Sequence, residues 1–327
     1  MASFRQRGGR WQARVRRQGH PDEVRTFTSR QDAEKWARSV ETEIDRGSYI
    51  SSAEAQKYTF ADLLGRYLSE VLRGNRHEKV QAYRYKAMAR SWLGRLNLSR
   101  LTPAVVAKYR DARLSEVSVA SVIRELACIS SVINHGRKEW GISMANPVPL
   151  VRKPSAPRGR ERVVCDEELA RLATALQPLG KRSIWMWPLV LLALETAMRR
   201  GELLSLRWVD VDFAARTATL LETKNGDKRV VPLSTKALQI LRDMPRDISG
   251  KVIPMTGFAV SKAWTTATCR AGLKDLHFHD LRHTAITRMA GKLPNVIELA
   301  AVSGHKSLRM LQRYYHPRAE DLAKKLG

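Results

Sequence analysis

The stretch "WMWPLVLLALETAMRRGELLSLRW", residues 185–208, decides how the chain is read. Trp185 to Leu194 is almost wholly apolar, which predicts a helix buried in a core. It runs into Arg199 and Arg200, with Glu202 close behind. A guanidinium group costs several kcal/mol to bury without a partner. Charge aimed from the end of a buried helix therefore needs a reason, and the rest of the chain has to supply it.

The whole sequence is basic. Of 327 residues, 58 are Lys or Arg and 32 are Asp or Glu, a formal net charge of +26. That excess points to a polyanionic partner, above all nucleic acid. A basic scaffold of the ribosomal kind fits poorly with 43% hydrophobic residues. Cys128, Cys165 and Cys269 form no disulfide or metal-ligand pattern, which suits a reducing cytosol. The start "MASFRQRGG" lacks an apolar signal region, and the run from Trp185 is shorter than the ~20 apolar residues of a membrane span. The expectation is a soluble, cytoplasmic, DNA-directed protein.

The predicted fold class is mainly α with small β elements, an α+β arrangement. Residues 1–56 predict a three-stranded sheet plus one helix. "GRWQARVRR" alternates Trp11, Ala13 and Val15 against Arg10, Arg14 and Arg16, with Gly8-Gly9 and Gly19-His20-Pro21-Asp22 as turn signals and "VRTFTS" as a further strand. Ser29 with Asp32 predicts a capped helix behind it. The arginine face, Arg17 adjoining, predicts phosphate contact. Residues 57–151 predict a helical domain. Thr59 with Asp62 form a capping box, "RHEKVQAYRYKAMARSWLGRL" (76–96) makes a basic second helix, Thr102-Pro103 open a third and Ser118 a fourth. Residues 152–162, "RKPSAPRGRER", predict a basic linker lying along DNA, with Arg152, Lys153, Arg158 and Arg160 as contacts. Asp166 is expected to cap the first helix of a catalytic domain, 163–327.

That last domain holds a distinctive constellation. "RTATLLETKNGDKRVVPL" predicts a hairpin around Asn225-Gly226, with Lys224 at its tip. "LHFHDLRHTAITRMAG" sets His279 and Arg282 on one helix face. His277, His279 and His283 are spaced like metal ligands, but no cysteine or suitably spaced carboxylate completes a set, and no metal or other cofactor is predicted. "SGHKSLRMLQRYYHP" adds His305 and a Tyr314-Tyr315 pair. Two arginines, a lysine, two histidines and a tyrosine suit phosphoryl transfer on nucleic acid. Fixed guanidinium groups match the charge on the non-bridging oxygens, a lysine can protonate a leaving 5′-oxygen, and a phenol among cationic donors is a competent nucleophile. The charge at Arg199 thus has a purpose: a buried helix holds a phosphate clamp.

In this order the residues resemble the tyrosine recombinases, the family of phage integrases and related site-specific DNA recombinases. "TAMRRGELLSLRW" is similar to the first arginine box of the family, "TKNGDKRVVPL" to its lysine hairpin, "HDLRHT" to its second box and "SGHKSLRMLQRYYH" to its His-to-Tyr segment. The resemblance covers residues 58–316. It implies that Arg199 and Arg282 bind the scissile phosphate and that Lys224 is the general acid. It implies that His279 acts in proton transfer or phosphate holding, that His305 bonds a non-bridging oxygen and that Tyr314 forms a 3′-phosphotyrosyl bond. The implied partners are double-stranded DNA with specific recombination sites, three further copies of the chain in a tetramer around a Holliday junction, and accessory DNA-bending proteins. Integration, excision and inversion stay open as outcomes. Ala197 stands where the family has a glycine, and Ser303 where it has a large apolar residue. With 13 residues after Tyr314, the C-terminal helix exchanged between subunits is expected to be short, "AEDLAKKL". A type IB topoisomerase and a DNA-binding regulator without catalysis are the competing readings.

Overall fold

The computed structural model describes residues 2–18, 22–45, 57–74, 78–142, 144–157, 159–180, 183–221, 228–293, 295–315 and 323. The chain divides into two compact units, Met1–Arg158 and Gly159–Gly327.

The first unit opens with β1 (Ala2–Arg7), β2 (Arg10–Val15) and β3 (Glu23–Phe27), an antiparallel sheet in that order. Gly8 and Gly9 both take positive φ (54° and 75°), as the tight β1–β2 turn requires, and set Arg7 opposite Arg10. The alternation of β2 resolves as expected. Ala13 and Val15 are buried against α1 (Arg30–Asp45), while Arg10 and Arg14 face outward. Beyond it lies a helical bundle of α2 (Phe60–Glu70), α3 (Glu78–Arg90), α4 (Pro103–Leu114) and α5 (Val119–Glu139). The predicted N-caps are present: Thr59, Thr102 and Ser118 each accept a backbone N–H two or three residues into their helix. Phe60, Leu64, Leu126, Ile129 and Ile133 fill its core. The second helix is shorter than the sequence suggests. It stops at Arg90 because the chain folds back at Gly94, whose position leaves only 2.2 Å between a Cβ and the Ala89 carbonyl oxygen.

The second unit is built on α6 (Asp166–Leu176), α7 (Met186–Thr196), the short α8 (Arg200–Ser205), α9 (Thr235–Asp243), α10 (Gly257–Arg270), α11 (Asp280–Ala290) and α12 (Val296–Ser303). Cys165, not Asp166, is the N-cap of α6, and the Glu168 carboxylate accepts the Cys165 N–H. A three-stranded sheet, β4 (Val211–Asp212), β5 (Thr217–Leu220) and β6 (Arg229–Pro232), contains the predicted hairpin and adds a strand the sequence did not signal. Its turn, 222–227, which holds Lys224, lies outside the described residues, as does the "AEDLAKKL" segment except Ala323. Two apolar clusters organise the unit. The larger surrounds Leu189, Leu192 and Ala193 of α7. The smaller joins Ala197, Ala285, Ile286, Leu299 and Leu311, with Tyr314 and Tyr315 packed on it. No helix among the described residues is long and apolar enough to cross a membrane.

Candidate active site

The apolar run does form a buried helix: Leu189, Val190, Leu192 and Ala193 of α7 are all at most 1% exposed. Burying each large aliphatic contributes ~1.5–3 kcal/mol, so α7 is a firm anchor. It ends sharply at Ala197, whose φ of 51° and ψ of 19° lie in the left-handed region. A side chain there costs ~1–2 kcal/mol, which a glycine avoids. Here the Cβ is compensated by full burial beside Ala285, Leu299 and Leu311. This turn sends the chain out of the helix, so Arg199 leaves with extended backbone (φ −70°, ψ 151°).

Glu202 then organises two arginines. Its buried carboxylate accepts the Arg199 N–H (2.8 Å) and Arg199 Nη1 (2.7 Å), and also Arg229 Nη2 (2.7 Å). Arg229, the first residue of β6, donates through Nη1 to the Val302 carbonyl at 3.0 Å. Burial pulls its pKa below the usual arginine range, and its Nε has no partner among the described residues. Gly304 makes room for it. The residue has φ of 69°, and a Cβ there would meet Arg229 Nη1 at 2.3 Å.

Arg282, on α11, is held differently. Nη1 donates to the Ala197 carbonyl and Nη2 to the Ser303 carbonyl (2.6 Å), with the side chain nearly fully buried. Burial first, and the nearby Arg199 second, lower its pKa to about 10. Its partners are neutral oxygens, so the positive charge is fixed in place without being cancelled. That is an anion site by construction.

Three histidines lie among these cations, and burial first, the neighbouring positive charges second, lower the pKa of each. His279 is the N-cap of α11, and burial, then Arg282, lower its pKa. His305 lies with Nδ1 at 2.7 Å from Ser303 Oγ; burial, then Arg282, bring its pKa to about 4. His283, edge-on to His279 with ring centroids 5.1 Å apart, also falls to about 4, through burial and then His279. Its Nδ1 is 2.5 Å from the Tyr314 hydroxyl. Tyr314 ends a 3-10 turn (Gln312–Tyr314), with the Arg313 guanidinium over its ring at 5.2 Å. Tyr315 points elsewhere, donating its hydroxyl to the Leu293 carbonyl at 2.6 Å.

Arg199, Arg282, His279, His305 and Tyr314 are thus brought together, and Lys224 lies outside the described residues. The linker and sheet arginines divide. Arg10, Arg152 and Lys153 are exposed, and Arg158 lies outside the described residues. Arg14 and Arg16 both reach Asp22. Arg160, expected on DNA, is instead drawn inward. It donates to the fully buried Asp280 (Nε to Oδ1, 2.7 Å) and to Asp275 (3.0 Å), because a buried carboxylate needs a fixed cation. Sequence reasoning missed the roles of Glu202, Arg229, His283 and Ser303. His283 had a signal, standing one turn after His279; Arg229 had none beyond its charge. Among the described residues no three His, Cys, Asp or Glu side chains group as a metal site.

A helical unit that sets buried Arg282 and half-buried Arg199 beside neutral histidines and one presented tyrosine fits a DNA strand-transfer enzyme of the tyrosine-nucleophile class. Residues 162–321 match the phage integrase family. A shufflon-specific DNA recombinase of Escherichia coli is 40% identical over 287 residues, covering 85% of this chain and 74% of that protein. A putative integrase/recombinase of Haemophilus influenzae is 33% identical, covering 99% of this chain and 88% of that one. The fold is also similar to lambda integrase, solved as a tetramer bound to a Holliday junction (TM-score 0.67, 21% identity, 95% and 93% of the two chains covered). The chain belongs to the phage integrase family of tyrosine recombinases. It is a site-specific DNA recombinase, an enzyme that cuts and rejoins DNA.

Proposed function

We propose that Tyr314 attacks the scissile phosphate to give a 3′-phosphotyrosyl bond, and that Arg199 and Arg282 hold its non-bridging oxygens. His305 donates to one of those oxygens, His279 assists in holding the phosphate or moving a proton, and Lys224 protonates the leaving 5′-oxygen. The carrying observation is the Arg282 guanidinium, buried on two carbonyl oxygens beside Arg199, with Tyr314 presented next to it and Tyr315 tied to Leu293. The ester stores the energy of the broken bond, so rejoining needs no nucleotide. Residues 1–56 serve as an arm-type DNA-binding domain, 57–151 as a core-binding domain, 152–162 as a linker along DNA and 163–327 as the catalytic domain. The acting species is a cytoplasmic tetramer on paired recombination sites, passing through a Holliday junction. Likeness to the shufflon recombinase favours inversion of a DNA segment as the outcome.

A nicked suicide duplex carrying the recombination site, mapped by DNA protection, tests the assignment. Tyr314→Phe should bind with unchanged affinity and form no covalent adduct, while Tyr315→Phe should still form one. An adduct on Tyr314→Phe protein would move the nucleophile elsewhere. Lys224→Ala should slow cleavage by ~10²–10⁴-fold, and a sulfur at the bridging 5′ position, which needs no proton, should recover most of it. Failure of the sulfur substrate to recover the rate removes Lys224 from the general-acid role.

A further inference from the structure

Cleavage needs a destination for the phenolic proton of the nucleophile. Among the described residues Tyr314 Oη has two polar neighbours in hydrogen-bond range: His283 Nδ1 at 2.5 Å and Arg313 Nη2 at 3.4 Å. A guanidinium has no lone pair to give, so it cannot take the proton. The imidazole can. His283 lies in the middle of the first turns of α11, a position fixed by the helix and by Thr284, whose hydroxyl bonds both the Asp280 carbonyl and the Val164 N–H. The two ring planes lie at a shallow angle of 26°, with centroids 6.1 Å apart, so the imidazole meets the phenol end-on at its hydroxyl. His279, by contrast, stands in a T-shaped arrangement with the His283 ring, and among the described residues it makes no hydrogen bond to the phenol.

We infer that His283 is a catalytic residue, the general base that takes the Tyr314 proton during cleavage and returns it during rejoining. The inference rests on Tyr314 being the nucleophile. As Oη attacks, the Oη–H bond breaks and its proton passes to His283 Nδ1. The Oη–P bond forms, the P–O5′ bond breaks, and the leaving 5′-oxygen takes its proton from Lys224. In rejoining, the incoming 5′-hydroxyl gives its proton to Lys224 as its oxygen attacks phosphorus, the Oη–P bond breaks, and the departing Oη recovers the proton from His283.

The charges around the ring set when this base works. Arg282 and Asp280 on α11, His279 at its N-terminus and Arg313 beside the tyrosine all face it. Burial and the surrounding cations keep the ring neutral in the free protein, which is the form a base requires. A phosphodiester bound between Arg199 and Arg282 adds negative charge nearby and favours the imidazolium. The base therefore strengthens when DNA is in place.

The test uses the full chain and a duplex with sulfur at the bridging 5′ position, so that leaving-group protonation drops out of the rate. His283→Asn keeps a hydrogen-bonding side chain without a usable base. It should cut ~10²–10⁴-fold more slowly at pH 7, bind DNA within about twofold of wild type, and gain rate steadily as pH rises. Replacing Tyr314 with 3-fluorotyrosine, a more acidic phenol, should speed the variant far more than the wild type. His283→Gln repeats the measurement if the asparagine variant melts early. A wild-type measurement stands beside them: ¹⁵N spectra should show Nδ1 of His283 bare and Nε2 protonated at pH 7. A rate within threefold of wild type overturns the proposal. So does a slow rate with the wild-type pH profile and no gain from fluorotyrosine, which is the mark of packing alone. So does the opposite tautomer. An adduct on Tyr314→Phe protein would instead sink the nucleophile assignment, independently of His283.

Discussion

Two sets of arginines in this chain live under opposite conditions. On the N-terminal sheet Arg14 and Arg16 share the Asp22 carboxylate, with side chains 45% and 63% exposed. They hold Asp22 below the usual carboxylate range, Arg16 most, but water screens the pairing. In the second unit Arg282 is 4% exposed and Arg229 is 12% exposed, and one carboxylate, Glu202, serves both Arg199 and Arg229. The difference teaches how placement turns the same side chain into different devices. A screened surface arginine can change partners and adds little stability. A buried one bonded to carbonyl oxygens keeps a fixed, uncancelled charge that only an anion completes.

The strongest way to break this contrast is Arg282→Ala. Cleavage of the suicide duplex should fall by at least ~10²–10³-fold, as for loss of a preorganised donor at a developing anion. The Ala197 and Ser303 carbonyls would also lose their partner, so urea denaturation should show a stability loss of about 2–5 kcal/mol. A small change in both measurements would mean that the buried charge serves neither purpose.

Acid should distinguish the two regions next. The pKa values of His283 and His305 are lowered to about 4 from 6.5, so between those limits the unfolded chain binds more protons than the folded one. The stability they contribute is complete above pH ~6.5 and is lost as pH falls toward ~4, with a slope of up to about 1.4 kcal/mol per pH unit for each. Partial exposure to solvent reduces that ceiling. The Asp22 pairing titrates lower and adds nothing in this window. Urea midpoints from pH 7 to 4.5 should fall in the second unit, and a flat profile would contradict the buried, neutral state of these rings.

The smallest effect should come from Arg14→Ala with Arg16→Ala. Thermal stability should change by no more than about 1 kcal/mol, and cleavage of a short core duplex should be unaltered. On longer DNA each lost phosphate contact should lower the salt slope of binding by ~0.9. Equal slopes for both proteins would show that this face does not meet DNA.

Much of this was legible in the sequence, for a physical reason. Helix caps at Thr59, Thr102 and Ser118, the apolar period of α7 and the Gly8-Gly9 turn are local signals, and each produced the expected element. The order of Arg199, His279, Arg282, His305 and Tyr314 was equally plain, because catalytic residue types stand out along a chain. What stayed hidden is non-local. Arg160 reaches Asp280 across 120 residues, and Arg229 meets Glu202 across 27. No periodicity encodes such pairs. The left-handed Ala197 was hidden for another reason: alanine carries no sign of positive φ, where glycine would have announced it.

Ser303 has a consequence of its own. Its hydroxyl lies 2.6 Å from the Leu299 carbonyl oxygen and 2.7 Å from His305 Nδ1, yet it carries a single hydrogen. If that hydrogen points to Leu299, the imidazole must supply the one for its own bond, and Nε2 is left bare. If it points to the ring, Nε2 carries the hydrogen and can offer it to a phosphate oxygen. A large apolar residue at 303 would leave the choice of tautomer to the ring alone. Here one rotating O–H bond selects it, so His305 can change from acceptor to donor at Nε2 without moving a heavy atom.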